Sequence, residues 1–450
     1  MTNPNQCTAD LLDLFQQLLP LQFFWATMKQ AKVKENNRVY SSRVVVWLMI
    51  WQRLQAQGTL ESAVLELLGG LPGNFWPQPC KRMAHAAEVG GRRVSKQTGA
   101  YNKARQELSL AVLTQCCDQA FQGLIDQAGL TAARRPAFFF DGSTQRMPHC
   151  QELVVAYPPT SNQHGISHWP MLRLLVAHDL YTGLALRPHW GPVNGTRAVS
   201  EQGLLEEAIE HLPHQSMVVG DANFGVFSVA YAADQRGHPV VLRLTTARAR
   251  RLAEGPLQDG TDRPIQWTPS RDDRRSHPQL PPHACVSGRL IVRQVQPSNG
   301  AEPFLLALFS TLEDAVAVVV ELYGKRWNIE VDLRSLKGTL RLEELTCTSQ
   351  EMVAKELEVA MLAYNLVRAV IYRTAQKAGL EPRVFSFTQV RNVLQTFLPR
   401  IAAATDERTK QKLSDDMHYY LSQCKLSQRQ RPSYPRGVWP RPKTYPARHA

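Results

Sequence analysis

Three acidic residues and a row of cations carry the chemistry that can be read from this chain. Asp141 closes the apolar run Ala137 to Phe140 and is followed by Gly142 and Ser143, the pattern of a buried strand leaving a sheet. Asp221 ends a second such run, Met217 to Val219, within SMVVGDANFG. Glu330 lies in YGKRWNIEVDLRSLK, Tyr323 to Lys337, inside a proline-free and glycine-poor stretch from about Leu312 to Leu340 that favours helix. At about 100° per residue, Tyr323, Arg326, Glu330 and Lys337 share an arc of roughly 60°, beside an apolar stripe of Leu322, Ile329, Leu333, Leu336 and Leu340. Three carboxylates brought together repel one another, and one takes up a proton unless a hard cation compensates. Two Mg2+ ions about 4 Å apart would compensate and would suit phosphodiester chemistry, one activating the attacking oxygen and the other steadying the leaving one. Arg326 and Lys337 would then grip phosphate, the first as a fork and the second as a point charge. Tyr323 would hydrogen-bond a phosphate or orient Glu330. The competing reading of the row is a solvated helix face with an ordinary Arg326 to Glu330 pair. The competing use of the acids is a glycosidase-type pair, which leaves the neighbouring cations unexplained.

Residues 1–130 read as an N-terminal helical domain, with Leu11, Leu12, Phe15, Leu18 and Leu19 at helical spacing, a helix through Arg43 to Ala56 and another from about Ala100 to Ala128. Between the last two, GGRRVSKQTGAYNKAR offers Arg92, Arg93, Lys96, Lys103 and Arg105 to DNA phosphates, or else is a solvated loop and helix start. Residues 131–245 alternate: the Asp141 strand, hairpin strands MLRLLVAHDL and TGLALRPHW turning at Asp179 to Gly183, a helix near Ala198 to His211, the Asp221 strand, a helix from about Phe227 to Arg236, and the strand HPVVLRLT. That is the order of an RNase H-like α/β sheet, in which the exits of the first and fourth strands are neighbours. Asp141 and Asp221 are therefore expected side by side.

Residues 246–310 read as a mainly β insertion, basic through arginines such as Arg248, Arg251 and Arg274, with a mobile middle near Pro269 to Pro282. Trp267 in it either packs locally or stacks on an unpaired base. Residues 311–380 return to the core with the Glu330 helix and a helix from about Ser349 to Ala378. Residues 381–450 form a helical and then basic, Pro-rich tail with Tyr434, Trp439 and Tyr445 interleaved, too rich in proline for regular structure near its end.

Composition narrows the partners. Lys and Arg number 52 against 39 Asp and Glu, a net charge of +13 that favours a polyanion such as double-stranded DNA. The 8 cysteines show no C-x-x-C pair, which excludes a legible zinc site and points to reduced thiols in the cytoplasm. No secretory signal is present, and the strongest apolar run, Val44 to Trp51, is far shorter than the ~20 residues of a membrane span. Neither G-x-G-x-x-G after a strand nor G-x4-G-K-[ST] occurs, so hydride and phosphate-loop chemistry are disfavoured.

In that order, DGST, GDANFG and the spacing Y-x2-R-x3-E-x6-K resemble the three catalytic regions of the IS4 family of bacterial DDE transposases, over about Phe138 to Asn365. The resemblance implies an RNase H-like core in which Asp141, Asp221 and Glu330 hold two Mg2+ or Mn2+ ions. It implies cut-and-paste transposition of an insertion sequence, by hydrolysis at the element ends and strand transfer into target DNA at the nucleoid. It also implies end contacts by the N-terminal domain and a homodimer on DNA. A nuclease on the same fold without strand transfer, and a catalytically inactive DNA-binding relic, stay open as alternatives.

Overall fold

The computed structural model describes residues 11–34, 38–55, 57–71, 75–76, 80–88, 90–91, 93–129, 135–162, 165–296 and 302–426. They form two compact units: a helical one made of the residues up to Ala128, Tyr181–Arg187 and those from Arg334 onward, and an α/β one made of Gly129–Leu180 and Pro188–Leu333.

The helical unit begins with α1 Leu11–Leu18, α2 Leu21–Gln30, α3 Ser42–Leu54, α4 Leu60–Gly69, α5 Lys81–Ala87, α6 Gly99–Glu107 and α7 Leu110–Gln127. Val44 to Trp51 of α3 are buried all round, as an almost uniformly apolar helix must be. The single helix expected from Ala100 to Ala128 is instead α6 and α7, parted at Leu108 and Ser109, where Ser109 turns extended to start the second. Leu108 is no breaker, and Ser109, a common N-cap type, is the local sign of the new start.

The α/β unit holds β1 Ala137–Arg146, α8 Gln151–Ala156, β2 Ser161–Asn162, β3 Gly165–Ile166, β4 Met171–Asp179, β5 His189–Pro192, α9 Glu201–Ile209, β6 Met217–Gly220, α10 Phe227–Asp234 and β7 Val240–Arg243. It continues with α11 Thr246–Ala253, β8 Asp262–Trp267, α12 Arg271–Ser276, β9 Val286–Val295, β10 Phe304–Ser310, α13 Val316–Gly324 and α14 Asn328–Arg334. One mostly antiparallel eight-stranded sheet runs β5-β4-β1-β6-β7-β10-β9-β8. β1 pairs antiparallel with β4 and parallel with β6, which pairs parallel with β7. The segment 246–310, expected as a mainly β insertion, supplies β8, β9 and β10, which extend the main sheet beyond β7, with β10 pairing Leu308 to Arg243. Its middle is an ordered helix, α12, closed by a capping box between Ser270 and Asp273 and tied down by Arg274 to the carbonyls of Pro281 and Pro282.

The last helices return to the helical unit: α15 Gln350–Ala378, α16 Phe387–Ala403 and α17 Glu407–Gln423. The sequence assigns α15 to the catalytic core; instead it is the axis of the helical unit, packed on α7 and α3 and buried without interruption from Met352 to Ile371. Lys355, Glu356, Glu358, Asn365 and Arg368 lie within that buried span. Among the described residues no helix is long and apolar enough to cross a membrane.

Candidate active site

Asp141 does not end its strand, as its pattern suggested. β1 continues to Arg146 against β4, because the polar run after Asp141 alternates buried Ser143 and Gln145 with exposed Thr144 and Arg146. What ends near Asp141 is the pairing with β6, whose last register pair is Phe139 with Val219. β6 itself stops one residue before Asp221, and Gly220 pairs with Leu242 of β7. Carrying both registers forward sets Asp141, Asp221 and Arg243 level across three adjacent strands. Directly opposed residues share a face, so all three point to the same side.

The electrostatics agree with that placement. The Asp141 carboxyl is pushed up to about 6, by burial first and then by the charge of Asp221, with Glu201 adding to it; the Gly142 amide and the Arg326 guanidinium pull the other way. Asp221 is fixed by its own turn, its Oδ1 accepting from the Asn223 amide at 2.9 Å and the Phe224 amide at 3.4 Å. The turn presses against β7: a Cβ on Gly225 would lie 1.9 Å from the Arg243 carbonyl oxygen, so only glycine fits. Arg248 donates to the Gly225 carbonyl at 2.5 Å from the other side.

The segment carrying Tyr323, Arg326 and Glu330 is helical, but it is not one α-helix. α13 ends at Gly324, Lys325–Trp327 form a 3-10 turn, α14 comes next, and Ser335–Thr339 form a π turn. Each change of pitch rotates the residues beyond it, so the arc drawn on an ideal helix does not survive along its whole length. Tyr323 is buried, and burial pushes its phenol above the ordinary value while the nearby Arg326 and Arg243 guanidinium groups oppose the shift. Arg243 approaches the phenol without reaching good hydrogen-bond geometry. The Arg326 charge is thus felt at both Tyr323 and Asp141, as a cation near the acids.

Glu330 is half-buried on α14. Two residues on, Asp332 lies 3.9 Å from Nδ1 of His178, and both side chains are wholly buried. His178 sits opposite Phe139 in the β1 and β4 register, on the same face as Asp141. α14 is therefore anchored over the face that carries the two aspartates. Even so, among the described residues no three of His, Cys, Asp and Glu are grouped closely enough to hold an ion. Charge couples Asp141 to Asp221 and to Arg326, while Glu330 stands on the helix anchored over the same face. The chemistry of the donors fits a hard divalent ion, since neighbouring carboxylate oxygens are the ligands such an ion prefers.

The remaining expected residues divide. Lys337 is half-buried in the π turn and belongs to the helical unit. Arg93, Lys96 and Lys103 are exposed. Lys103 makes only a 3.7 Å pair with Glu107 and lines a cleft of about 1020 Å³ together with Lys34, Arg38, Lys81 and Arg82. Arg92 and the Pro-rich tail with Tyr434, Trp439 and Tyr445 lie outside the described residues. Arg105 is corrected: it is buried against Glu356 and cannot reach a phosphate. Trp267 is corrected too, since it is 2% exposed and packs edge-on against Phe227 and Phe309, leaving no face for a base. Sequence reasoning missed Glu201, Asn223, Arg243, His178 and Asp332. Arg243 had a usable signal, as the residue ending the strand beside Asp221; the others had none.

Comparison with known proteins agrees with the motifs. Residues 133–366, more than half of the chain, match the family described as the transposase DDE domain. Transposase InsG for insertion sequence element IS4, from Escherichia coli strain K12, is 25% identical over 315 residues, 68% of this chain and 68% of that one. A piggyBac transposase synaptic complex with hairpin DNA aligns over 93% of this chain and 87% of that one at 12% identity and a TM-score of 0.43, a likeness too distant to carry an argument. With the DDE domain spanning Asp141, Asp221 and Glu330, and the Tyr323, Arg326, Glu330, Lys337 spacing intact, the chain belongs to the IS4 family of DDE transposases.

Proposed function

We propose that this transposase cuts duplex DNA at the ends of its insertion sequence and transfers the freed 3′-hydroxyls to target DNA, using an RNase H-like core. The observation that carries the reading is the level placement of Asp141 and Asp221 on neighbouring strands, with mutual repulsion that raises Asp141 and Arg326 alongside. The order β5-β4-β1-β6-β7, antiparallel across the first three strands and parallel thereafter, supports the RNase H-like assignment. Asp141, Asp221 and Glu330 are the residues that would hold Mg2+ or Mn2+, which would activate the attacking oxygen and steady the leaving one. Arg326 orients the scissile phosphate by a forked contact and Lys337 adds a point charge to the DNA backbone. Tyr323, lodged beside Arg326 and Arg243, fixes the direction of the Arg326 fork. The basic cleft bearing Lys34, Arg38, Lys81, Arg82 and Lys103 supports end binding by the helical unit, with Arg93 and Lys96 exposed nearby in sequence. A homodimer on paired ends, working in the cytoplasm at the nucleoid, completes the reading.

The test is a linear duplex carrying the element end, incubated with purified protein and Mg2+. Wild type is expected to cleave and to join the end to a second DNA, and Asp141→Asn, Asp221→Asn and Glu330→Gln to lose at least about 10³-fold in rate. Cleavage that persists in Glu330→Gln refutes the catalytic assignment. Cleavage without joining establishes the nuclease alternative, and binding without cleavage the inactive relic.

A further inference from the structure

We propose that Glu201, the first residue of α9, is a positioning residue for this active site: wedged behind β1 at Gly142, it holds Asn223 and so fixes the turn that presents Asp221. The inference rests on the functional reading above and adds to it a residue outside the Asp141, Asp221 and Glu330 set.

Ser200 caps α9, its hydroxyl accepting the Gly203 amide at 2.9 Å, and so sets where the helix starts and where Glu201 projects. The Glu201 carboxylate lies against the backbone of β1. A Cβ built on Gly142 would fall 2.4 Å from its Cδ and 2.6 Å from its Oε1, so the acid occupies the space that any other residue at 142 would fill. Successive side chains on a strand point to opposite faces. The Gly142 position faces away from Asp141, so Glu201 approaches from behind the strand, on the side opposite the reacting groups. This explains how it adds to the electrostatic push on Asp141 while sharing no ligand cluster with the aspartates.

From there Glu201 reaches the Asp221 turn directly. Its Oε2 accepts from Asn223 Nδ2 at 2.6 Å, a charge-assisted bond, and the same Asn223 gives its backbone amide to Asp221 Oδ1 at 2.9 Å. Gln202, the next residue, donates to the Asn223 carbonyl at 3.0 Å and to its Oδ1 at 2.8 Å. Three hydrogen bonds from the first two residues of α9 thus hold one asparagine, and that asparagine aims one catalytic aspartate. β1, which carries the other aspartate, has the same carboxylate lying against it at Gly142. Glu201 therefore couples the two strand tops, fixing the separation of Asp141 and Asp221 without touching substrate.

Two readouts on the full-length protein test this, one of them independent of metal and of activity. In hydrogen exchange of the metal-free chain, Glu201→Ala is expected to speed exchange of the segment 221–224 about tenfold, while Glu201→Gln, whose amide oxygen still accepts from Asn223, stays within about twofold of wild type. Gly142→Ala should reproduce the Glu201→Ala effect by displacing the carboxylate, and adding it to Glu201→Ala should change little further. In Mn2+ titration calorimetry, Glu201→Ala is expected to weaken binding about 10-fold or more and Glu201→Gln only slightly, the pattern of a residue that orients a ligand. Unchanged exchange in Glu201→Ala overturns the proposal. So does equal loss of Mn2+ affinity in the Gln and Ala variants, which would make the charge rather than the clamp the active property. Absence of Mn2+ binding by wild type counts against the functional reading instead, and the exchange comparison still decides the role of Glu201.

Discussion

Two acids in this protein, Glu356 buried and Asp141 half-buried, are treated in opposite ways. Glu356, in the middle of α15, is held between Arg53 and Arg105: Arg53 donates from Nε at 2.9 Å and from Nη2 at 2.5 Å to one oxygen, and Arg105 donates to the other. Burial opposes its ionisation, but the two guanidinium groups outweigh burial and hold its carboxyl below the ordinary range. Asp141 meets a second carboxylate where Glu356 meets two cations, and burial together with that neighbour pushes its carboxyl up to about 6. The helical unit neutralises Glu356 with two of its own cations; the α/β unit sets Asp141 beside a second carboxylate. An acid raised by burial and by a second carboxylate is the kind of perturbed group that clusters at sites of chemistry. The fully satisfied cluster marks architecture. Lys355 beside it, wholly buried and donating to the Gln106 carbonyl at 2.7 Å, belongs to the same architecture.

Removing the acid that is satisfied should do the larger damage. Glu356→Leu leaves two arginines facing one another in the interior, and breaking a buried ionic cluster on one side costs about 3–5 kcal/mol. Denaturant unfolding followed by a probe in the helical unit should show that loss. Because the folded pKa of Glu356 lies below its reference value of 4.5, its stabilisation is present above that pH and is lost as pH falls through the folded value. The gap between wild type and variant should therefore narrow in acid. A variant as stable as wild type would make the cluster dispensable and remove the contrast.

Removing the acid that is strained should have the opposite sign. Asp141→Asn abolishes a repulsion, so the metal-free variant is expected to unfold at higher denaturant than wild type at pH 8, by about 1–2 kcal/mol after allowing for solvent screening. The folded pKa is raised, from 3.8 to about 6, so the penalty in wild type is absent below the lower value and complete above the higher. The advantage of the variant should fade as pH falls from about 6 to below 4. Loss of stability at pH 8 would show that Asp141 is held by contacts the repulsion does not dominate. Stability gained where activity is lost is the trade expected of a catalytic acid.

The same contrast explains what was legible. Asp141 and Asp221 stood out because an apolar run closed by an acid is a local pattern; at Asp221 it does mark a strand end, whereas at Asp141 it marks only where the pairing of β1 with β6 stops. The length of β1 was hidden because Ser143 and Gln145 are buried polar residues, which blur the alternation that identifies a strand. The helical nature of 316–339 was readable, but its 3-10 and π turns were not, since helices of different pitch draw on the same residues. α15 read correctly as a capped helix beginning after Ser349, yet nothing local says which unit a helix packs into; that depends on Arg53 and Arg105, about 300 and 250 residues distant in sequence, finding Glu356. Glu201 was hidden for the same reason, since its partners Gly142 and Asn223 are set by packing.

Two residues apart on α6, Lys103 and Arg105 give the smallest and sharpest form of the comparison. Both read from sequence as phosphate contacts, and one of them is architecture. Lys103 is exposed at the basic cleft, whereas Arg105 is committed to Glu356 and also lies over the Tyr101 ring at 5.7 Å. Lys103→Ala should leave the unfolding midpoint within about 0.5 kcal/mol of wild type and lower the salt slope of binding to a non-specific duplex by about 1, the loss of one phosphate contact. Arg105→Ala should leave the salt slope where it was and cost stability instead, because it strips one cation from a buried carboxylate. Fluorescence anisotropy of a labelled duplex across a salt series separates the two. If Arg105→Ala changed the slope as Lys103→Ala does, the division between charges that hold the fold and charges that meet DNA would fail at its most direct point.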